Sequence, residues 1–288
     1  MATSRRGVGL AALSAAGFGT LAIFGRFAEA AGLTIPTLLA FRFALAVPLV
    51  WAYLAWRGRL RVLHGRRLAI AFLLGAFGYA AMSGLFLWGV SLTNAGLAGI
   101  LLYTYPAIVV VIAGLFLDER VTRKTVVAVV LALAGVTLVS GAQPRGIDPL
   151  GVAILLFAAV VYAAYISVSR VVLDEIDAAT LTAHVIPAAA GAFVVYGTVT
   201  GTLAVPTTPT QWGVILGVAS LATAVPILAF FSAVAIIGAS RTSVVSTFEP
   251  VFTVALGVVL LGEPLTTATI LGGLAVLAGV VLVQVDDA

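Results

Sequence analysis

Glu249 stands directly before Pro250, near the middle of an apolar stretch, and no other acidic residue of the chain is set so deep in one. A charge at such a depth costs roughly 2.5–3.5 kcal/mol even on a lenient insertion scale, so it must face the protein interior. Two chemistries suit it, accepting a proton or pairing with an amine. The structural alternative is a buried glutamate that hydrogen-bonds a neighbouring helix. Pro250 lacks a backbone donor and loosens the turn before it, which frees a carbonyl toward a cavity. Pro250 and its counterpart Pro106 are therefore candidate hinges. Arg42 lies inside a second apolar stretch, where it could hold a carboxylate or pair with Glu249 across a closed gate. His184 lies inside a third, where it could titrate near neutral pH or bond in neutral form to a neighbouring helix. Arg42, His184 and Glu249 are the gating or proton-handling candidates.

Aromatic residues surround these positions in sequence. Tyr79, Ser83 and Phe86 share one helical face, Tyr103 and Tyr105 precede Pro106, and Tyr162 and Tyr165 lie close together. Tyrosines at mid-depth need partners for their hydroxyls and would line a cavity that accepts flat or apolar groups, with local packing as the alternative. Tyr79, Ser83, Tyr103, Tyr162, Tyr165 and Glu249 form the expected contact set for a small molecule. Trp51 and Trp56 read as interface anchors, and Trp88 closes the far end of its stretch. The sequence has no His-Glu-x-x-His run and no Gly-x-x-x-x-Gly-Lys loop. With two histidines and no cysteine, neither a metal nor a cofactor is expected. Glu249 with His184 is the sole candidate pair for an intramembrane enzyme, and the expected answer is no enzyme.

The elements that must position these residues are helices in a membrane. Hydrophobic residues make up 62% of the 288 and charged ones 9%, against about a quarter charged in soluble domains. The mean hydropathy is +1.21 and the pI about 9.8, but the basic residues are scattered between apolar runs and offer nucleic acid no continuous face. Ten stretches approach the ~20 residues needed to cross a hydrocarbon core. They are 7–28, 34–56, 68–90, 95–117, 122–141, 149–171, 178–201, 211–237, 240–261 and 266–284. Helices alone satisfy the backbone of such runs in lipid. Arg5-Arg6, an apolar run and Ala28-Glu29-Ala30 have the outline of a cleavable leader. Arg26 lies where the cleavage region should be neutral, and cutting would remove the partner of 149–171, so the first stretch is expected to be retained.

The chain also repeats at an offset of 144, half of its 288 residues. Pro106 through Leu117-Asp118-Glu119 returns as Pro250 through Leu261-Gly262-Glu263, Gly7-Val8 as Gly151-Val152, Arg26 as Arg170, and Ala134-Gly135-Val136 as Ala278-Gly279-Val280. Five spans per half is an odd number, so the second half enters the membrane upside down. Basic residues agree through the positive-inside rule. Arg57, Arg59, Arg61, Arg66 and Arg67, like Arg120, Arg123 and Lys124, fall inside when the N-terminus is cytoplasmic, while their counterparts near 201–210 and 262–268 carry no basic residue. Arg145 is the exception outside. The expectation is an all-α membrane protein, ten transmembrane helices as two inverted five-helix repeats, 1–144 and 145–288, with both termini cytoplasmic and a single integral membrane domain.

This layout resembles the drug/metabolite transporter superfamily, and in particular its EamA-type members. The marks are Glu249-Pro250 with Leu260-Leu261-Gly262-Glu263, and Pro106 with Leu117-Asp118-Glu119 in the first half. Tyr105 replaces the glutamate before the first proline, and Asp118 replaces the glycine before Glu119. The resemblance implies a secondary carrier without ATP in a bacterial inner membrane, exporting small metabolites by alternating access. The resemblance favours amino acids and related solutes, and the tyrosines tilt this toward neutral and aromatic ones. A multidrug or other small-molecule carrier of the same fold is the alternative. The partners are then a small solute and the bilayer, with a monomer or a homodimer both open. Gly272, Gly273 and Gly279 could pack within the chain or between protomers. Ala95, Gly96, Ala98 and Gly99, with Ala239, Ser240 and Ser243, permit close helix approach and thin gates.

Overall fold

The computed structural model describes residues 2–92, 101–119, 121–140, 148–262 and 266–285. Within them every regular element is helical: α1 (Ala2–Ala30), α2 (Ile35–Trp56), α3 (Gly65–Leu73), α4 (Ala81–Leu92), α5 (Tyr105–Phe116), α6 (Arg123–Ser140), α7 (Pro149–Val172), α8 (Ala178–Val199), α9 (Pro209–Ala219), α10 (Val225–Ser246), α11 (Glu249–Leu261) and α12 (Thr267–Val285). Ala95, Gly96, Ala98, Gly99, Arg120, Arg145 and Glu263, singled out by the sequence, lie outside the described residues. Six helical runs are long and apolar enough to cross a membrane: Ser4–Ala30, Ile35–Trp56, Gly65–Phe86, Pro149–Val172, Ala178–Val199 and Pro209–Ser246.

Local chemistry sets the helix starts. The Thr34 hydroxyl accepts from the Thr37 N–H, the Asp148 carboxylate from Leu150 at 2.8 Å, and the Asp177 carboxylate from Thr180 at 3.1 Å. Thr208 and Gln211 close a reciprocal capping box at α9. Each cap satisfies a backbone donor that a helix start would otherwise leave open. Gly262 ends α11 in the left-handed region at φ 68°, and its repeat counterpart Asp118 adopts φ 52°. The position needs a positive φ, and aspartate is among the few side chains that tolerate it. That conformational demand accounts for the exchange of glycine for aspartate at this mark.

Several expected stretches are interrupted, and the interruptions are what shape the interior. A π-helical turn, Leu74–Ala80, joins α3 to α4, and a second, Ser220–Ala224, joins α9 to α10. Shifting the second by 144 places it on 76–80, inside the first. The stretches 95–117 and 240–261 are likewise not continuous, because the chain turns at Tyr103–Thr104 and at Thr247–Phe248 before helix resumes. Local hydroxyls add a second donor to carbonyls at these turns: Thr104 donates to Leu101 O at 2.7 Å and Thr247 to Val244 O at 2.6 Å. Gly238 (φ 81°, ψ 172°) breaks α10 at the expected boundary near 237–240.

Helix pairing follows the repeat. α1 packs along α10 and α7 along α4, two pairs that the 144-residue shift interchanges, while α2 packs on α8 and α6 on α12. The α6–α12 crossing is tight. A Cβ on Gly135 would fall 2.5 Å from Gly272 O, and one on Gly279 would fall 2.7 Å from Ala128 O. The same shift converts one of these contacts into the other, so the glycines pack within the chain about a pseudo-two-fold crossing.

Two sets of polar contacts tie the ends of the bundle. At one end Gln211 donates to Ala31 O at 3.0 Å and the Ala204 N–H to the Thr37 hydroxyl at 3.0 Å. At the other, Trp51 donates to Ala183 O at 2.8 Å and Arg67 lies 3.5 Å from Glu175.

Candidate functional site

Arg42 is 2% exposed in the middle of α2. Its Nη2 donates to the Tyr79 hydroxyl at 3.3 Å and reaches the Ala222 carbonyl at 3.5 Å. Tyr79 belongs to the first π turn and Ala222 to the second. Ala222 lies four residues before Pro226, which has no N–H to give its carbonyl, and the acceptor left open helps to hold a cation. The guanidinium also sits 4.6 Å from the centre of the Phe43 ring, whose electron-rich face favours a cation. Among the described residues no carboxylate lies within ion-pair distance of Arg42, and its Nε has no hydrogen-bond partner. A buried guanidinium so incompletely satisfied is costly to keep unless a ligand completes it.

Beside Arg42 opens a cavity of about 200 Å³. It is lined by Phe18 and Leu21 of α1, Leu39 and Arg42 of α2, Tyr79, Met82, Ser83 and Phe86 along one helical face, and Leu102, Tyr103, Tyr105, Tyr162 and Glu249. Glu249 is the first residue of α11, where the positive end of the helix dipole favours a carboxylate. The Tyr103 hydroxyl reaches the Glu249 carboxylate, which lines the same cavity as Arg42. Tyr105 and Tyr162 meet with ring centres 4.5 Å apart. The result is a small aromatic chamber with one cation and one carboxylate in its walls.

The cavity thus gathers Arg42, Tyr79, Ser83, Tyr103, Tyr162 and Glu249. The Ser83 hydroxyl donates to the Tyr79 carbonyl at 2.9 Å. Tyr165 stands one layer behind: it is 3% exposed and packs over Gly78, where a Cβ would come within 2.6 Å of its ring. Pro106 and Pro250 sit in the first turns of α5 and α11, a position at which proline loses no helical hydrogen bond. His184 lies away from the cavity. Its Nδ1 hydrogen is directed at Thr180 O, 2.8 Å away, and its Nε2 accepts the Leu63 N–H at 3.1 Å. That pairing uses the neutral ring and anchors the loop before α3. Phe86, on the same face as Tyr79 and Ser83, together with Tyr105 and the apolar residues Phe18, Leu21, Leu39, Met82 and Leu102, completes the lining. Spacing could have ranked Tyr105 with Tyr103, but nothing in the sequence separates the last five from ordinary core.

A second polar cluster ties one end of the bundle. The Glu119 carboxylate accepts from the Ala239 N–H at 2.8 Å and the Ser240 N–H at 3.1 Å, just past the Gly238 break. It therefore caps a helix start from a distance of 120 residues in sequence. Arg170 lies 3.9 Å from Glu119 and 2.6 Å from Asp174. Beside this cap, Gly7 lets α1 close on Ile236 and Ile237, where a Cβ would meet the Ile237 side chain at 2.4 Å.

Two known proteins resemble this chain over most of its length. A protein of Archaeoglobus fulgidus described as an uncharacterized transporter is 28% identical over 222 residues, covering 74% of this chain and 76% of that one. A solved crystal structure, described only as that of a protein, superposes with a TM-score of 0.82 over 96% of this chain and 95% of its own, at 18% identity. That likeness shows a shared fold. The model of the EamA-like transporter family matches twice, at residues 5–141 and 149–285, so that both halves defined by the 144-residue shift are matched. The chain belongs to the EamA-like transporter family.

Proposed function

We propose that the protein is a secondary carrier that exports small zwitterionic metabolites, with neutral and aromatic amino acids as the leading class, from a bacterial cytoplasm. One observation carries the reading: Arg42 and Glu249 line a single aromatic cavity without an ion pair between them. A solute bearing a carboxylate and an ammonium complements both, and its side chain meets Tyr103, Tyr105 and Tyr162. Charge-assisted hydrogen bonds of this kind are the strong ones. Arg42 then receives the carboxylate and Glu249 the ammonium or a coupling proton. The repeat supports alternating access, in which two inverted halves of ten transmembrane helices, both termini cytoplasmic, expose one site to each side in turn. The glutamate-capped break at Gly238 supports a cytoplasmic seal, with the cavity reached from the other side.

Reconstitution in liposomes with a panel of radiolabelled amino acids tests this reading. Movement of a neutral or aromatic amino acid is expected, and if no amino acid moves under any imposed gradient the reading fails. Glu249→Gln in the same assay separates two roles. Loss of dependence on a proton gradient with transport retained supports coupling, whereas loss of expression makes Glu249 a structural residue.

A further inference from the structure

A second opening, of about 600 Å³, lies between α2, α4 and α8, with part of its wall from the first π turn. Its walls are hydrocarbon, and the sole polar side-chain atoms among its lining residues belong to Trp88 and Tyr196, which are 53% and 57% exposed. The helices around it belong to runs long and apolar enough to cross a membrane. Trp88 and Tyr196 lie near the ends of α4 and α8, as amphipathic rings do at a membrane–water boundary. From Trp88 back to Ala76 the opening extends ~18 Å along its helix at 1.5 Å per residue. That is close to one leaflet, half of a hydrocarbon core ~30 Å thick. α2 packs on α8 and α9 and hardly touches α4, so the opening separates α2 from α4. Among the described residues Leu39 alone lines both this opening and the polar cavity.

We propose that this opening holds one acyl chain of a phospholipid, from the leaflet whose boundary Trp88 and Tyr196 mark, and that the chain backs Leu39 as the outer wall of the polar cavity. Position and chemistry select the occupant. Water finds few partners on these mainly apolar walls, the space is open sideways at hydrocarbon depth, and its length fits a chain running from headgroup level to the bilayer centre. The chain also wedges α2 away from α4, which makes the volume of the polar cavity depend on it.

The test uses the full protein in phosphatidylethanolamine and phosphatidylglycerol vesicles doped with a phospholipid carrying a diazirine midway along one acyl chain. Illumination and peptide mass spectrometry then locate the label. Leu39, Ala80 and Gly84 are expected to carry several-fold more label than Val259 and Leu260, which are exposed on α11. Gly84→Trp should remove the label from the opening and leave Val259 and Leu260 unchanged, since a Cβ at Gly84 meets nothing within 4 Å. Label spread evenly over both faces, or undiminished in Gly84→Trp, overturns the proposal. So does protection of the opening by added phenylalanine, which would assign it to a solute side chain. If Gly84→Trp does not fold, the contrast between the two faces of the unmodified protein decides. No transported solute is needed for labelling, so its outcome is independent of the amino-acid reading.

Discussion

At the scale of single residues, Arg42 and His184 show how the same kind of clue leads to different jobs. Both are cationic or basic side chains buried in apolar helices. Arg42 is tied to two π turns, keeps an unpartnered Nε and faces a cavity with Glu249 in its wall. Arg42→Ala should therefore weaken the apparent affinity for a solute carboxylate by roughly 10- to 150-fold in the liposome assay, since hydrogen bonds to charged groups contribute about 1.5–3 kcal/mol. Arg42→Lys should recover little of it, because an ammonium cannot span both π turns and still present a free donor in the plane of the guanidinium. His184, by contrast, already has both ring nitrogens engaged with backbone groups. His184→Ala should lower thermal stability by about 1–3 kcal/mol through the unpaired Leu63 N–H, while the pH profile of transport stays unchanged. A flattened pH profile in that variant would return His184 to the list of proton-handling groups.

At the scale of elements, the sequence makes the helices legible and leaves their interruptions hidden. Long apolar runs and turn residues mark the stretches well, and the caps at Thr34, Asp148, Asp177 and Thr208 fall where the stretches begin. The π turns are not readable, because the extra residue in a widened turn leaves no compositional trace and Gly75 or Gly78 could serve plain packing. Yet the first of those turns carries Tyr79, the partner of Arg42, so part of the site comes from backbone geometry that side-chain types do not encode, whereas Pro226, which has no N–H for the Ala222 carbonyl, is legible in the sequence. Glu119 was visible as a family mark, but its partner was not, since the Ala239 and Ser240 N–H groups become available only after Gly238 breaks the helix. The cap carries its own prediction. Glu119→Gln retains one acceptor oxygen for two N–H groups and should weaken the seal by about 1 kcal/mol, in the range of lost helix caps. Gly238→Ala should cost more, about 1–3 kcal/mol, because a side chain there must hold a positive φ and its Cβ would lie 2.7 Å from Glu119 Oε1. The natural chain has no cysteine, so Ser243→Cys gives a clean reporter at a buried position. A small thiol reagent should modify it faster in either variant than in the parent. Equal rates would mean that the Glu119 cap does not hold this end closed.

At the scale of the whole molecule, the 144-residue shift joins sequence, helix pairing and mechanism. It interchanges α1–α10 with α7–α4, superposes the two π turns and converts one glycine contact of the α6–α12 crossing into the other. It does not preserve the pocket. Tyr79 corresponds to Thr223, whose hydroxyl turns back to Val218 O at 2.8 Å, and Tyr105 corresponds to Glu249. A symmetric scaffold with an asymmetric lining is what a carrier needs if two similar end states are to present one particular site. Everything in that account depends on the halves being inverted, and the loops 57–64 and 201–208 test it directly. They are repeat counterparts, yet the first is rich in arginine and joins the end of the bundle held by Trp51, His184 and Arg67, whereas the second bonds at the opposite end with Thr34 and Thr37. Arg61 and Val205 occupy equivalent positions and both are exposed. In a cysteine-free background, Val205→Cys should react with a membrane-impermeant maleimide added outside intact cells, and Arg61→Cys should react only after the cells are opened. Labelling of both from the same side would place the halves in parallel and remove the basis for alternating access by exchange of their roles.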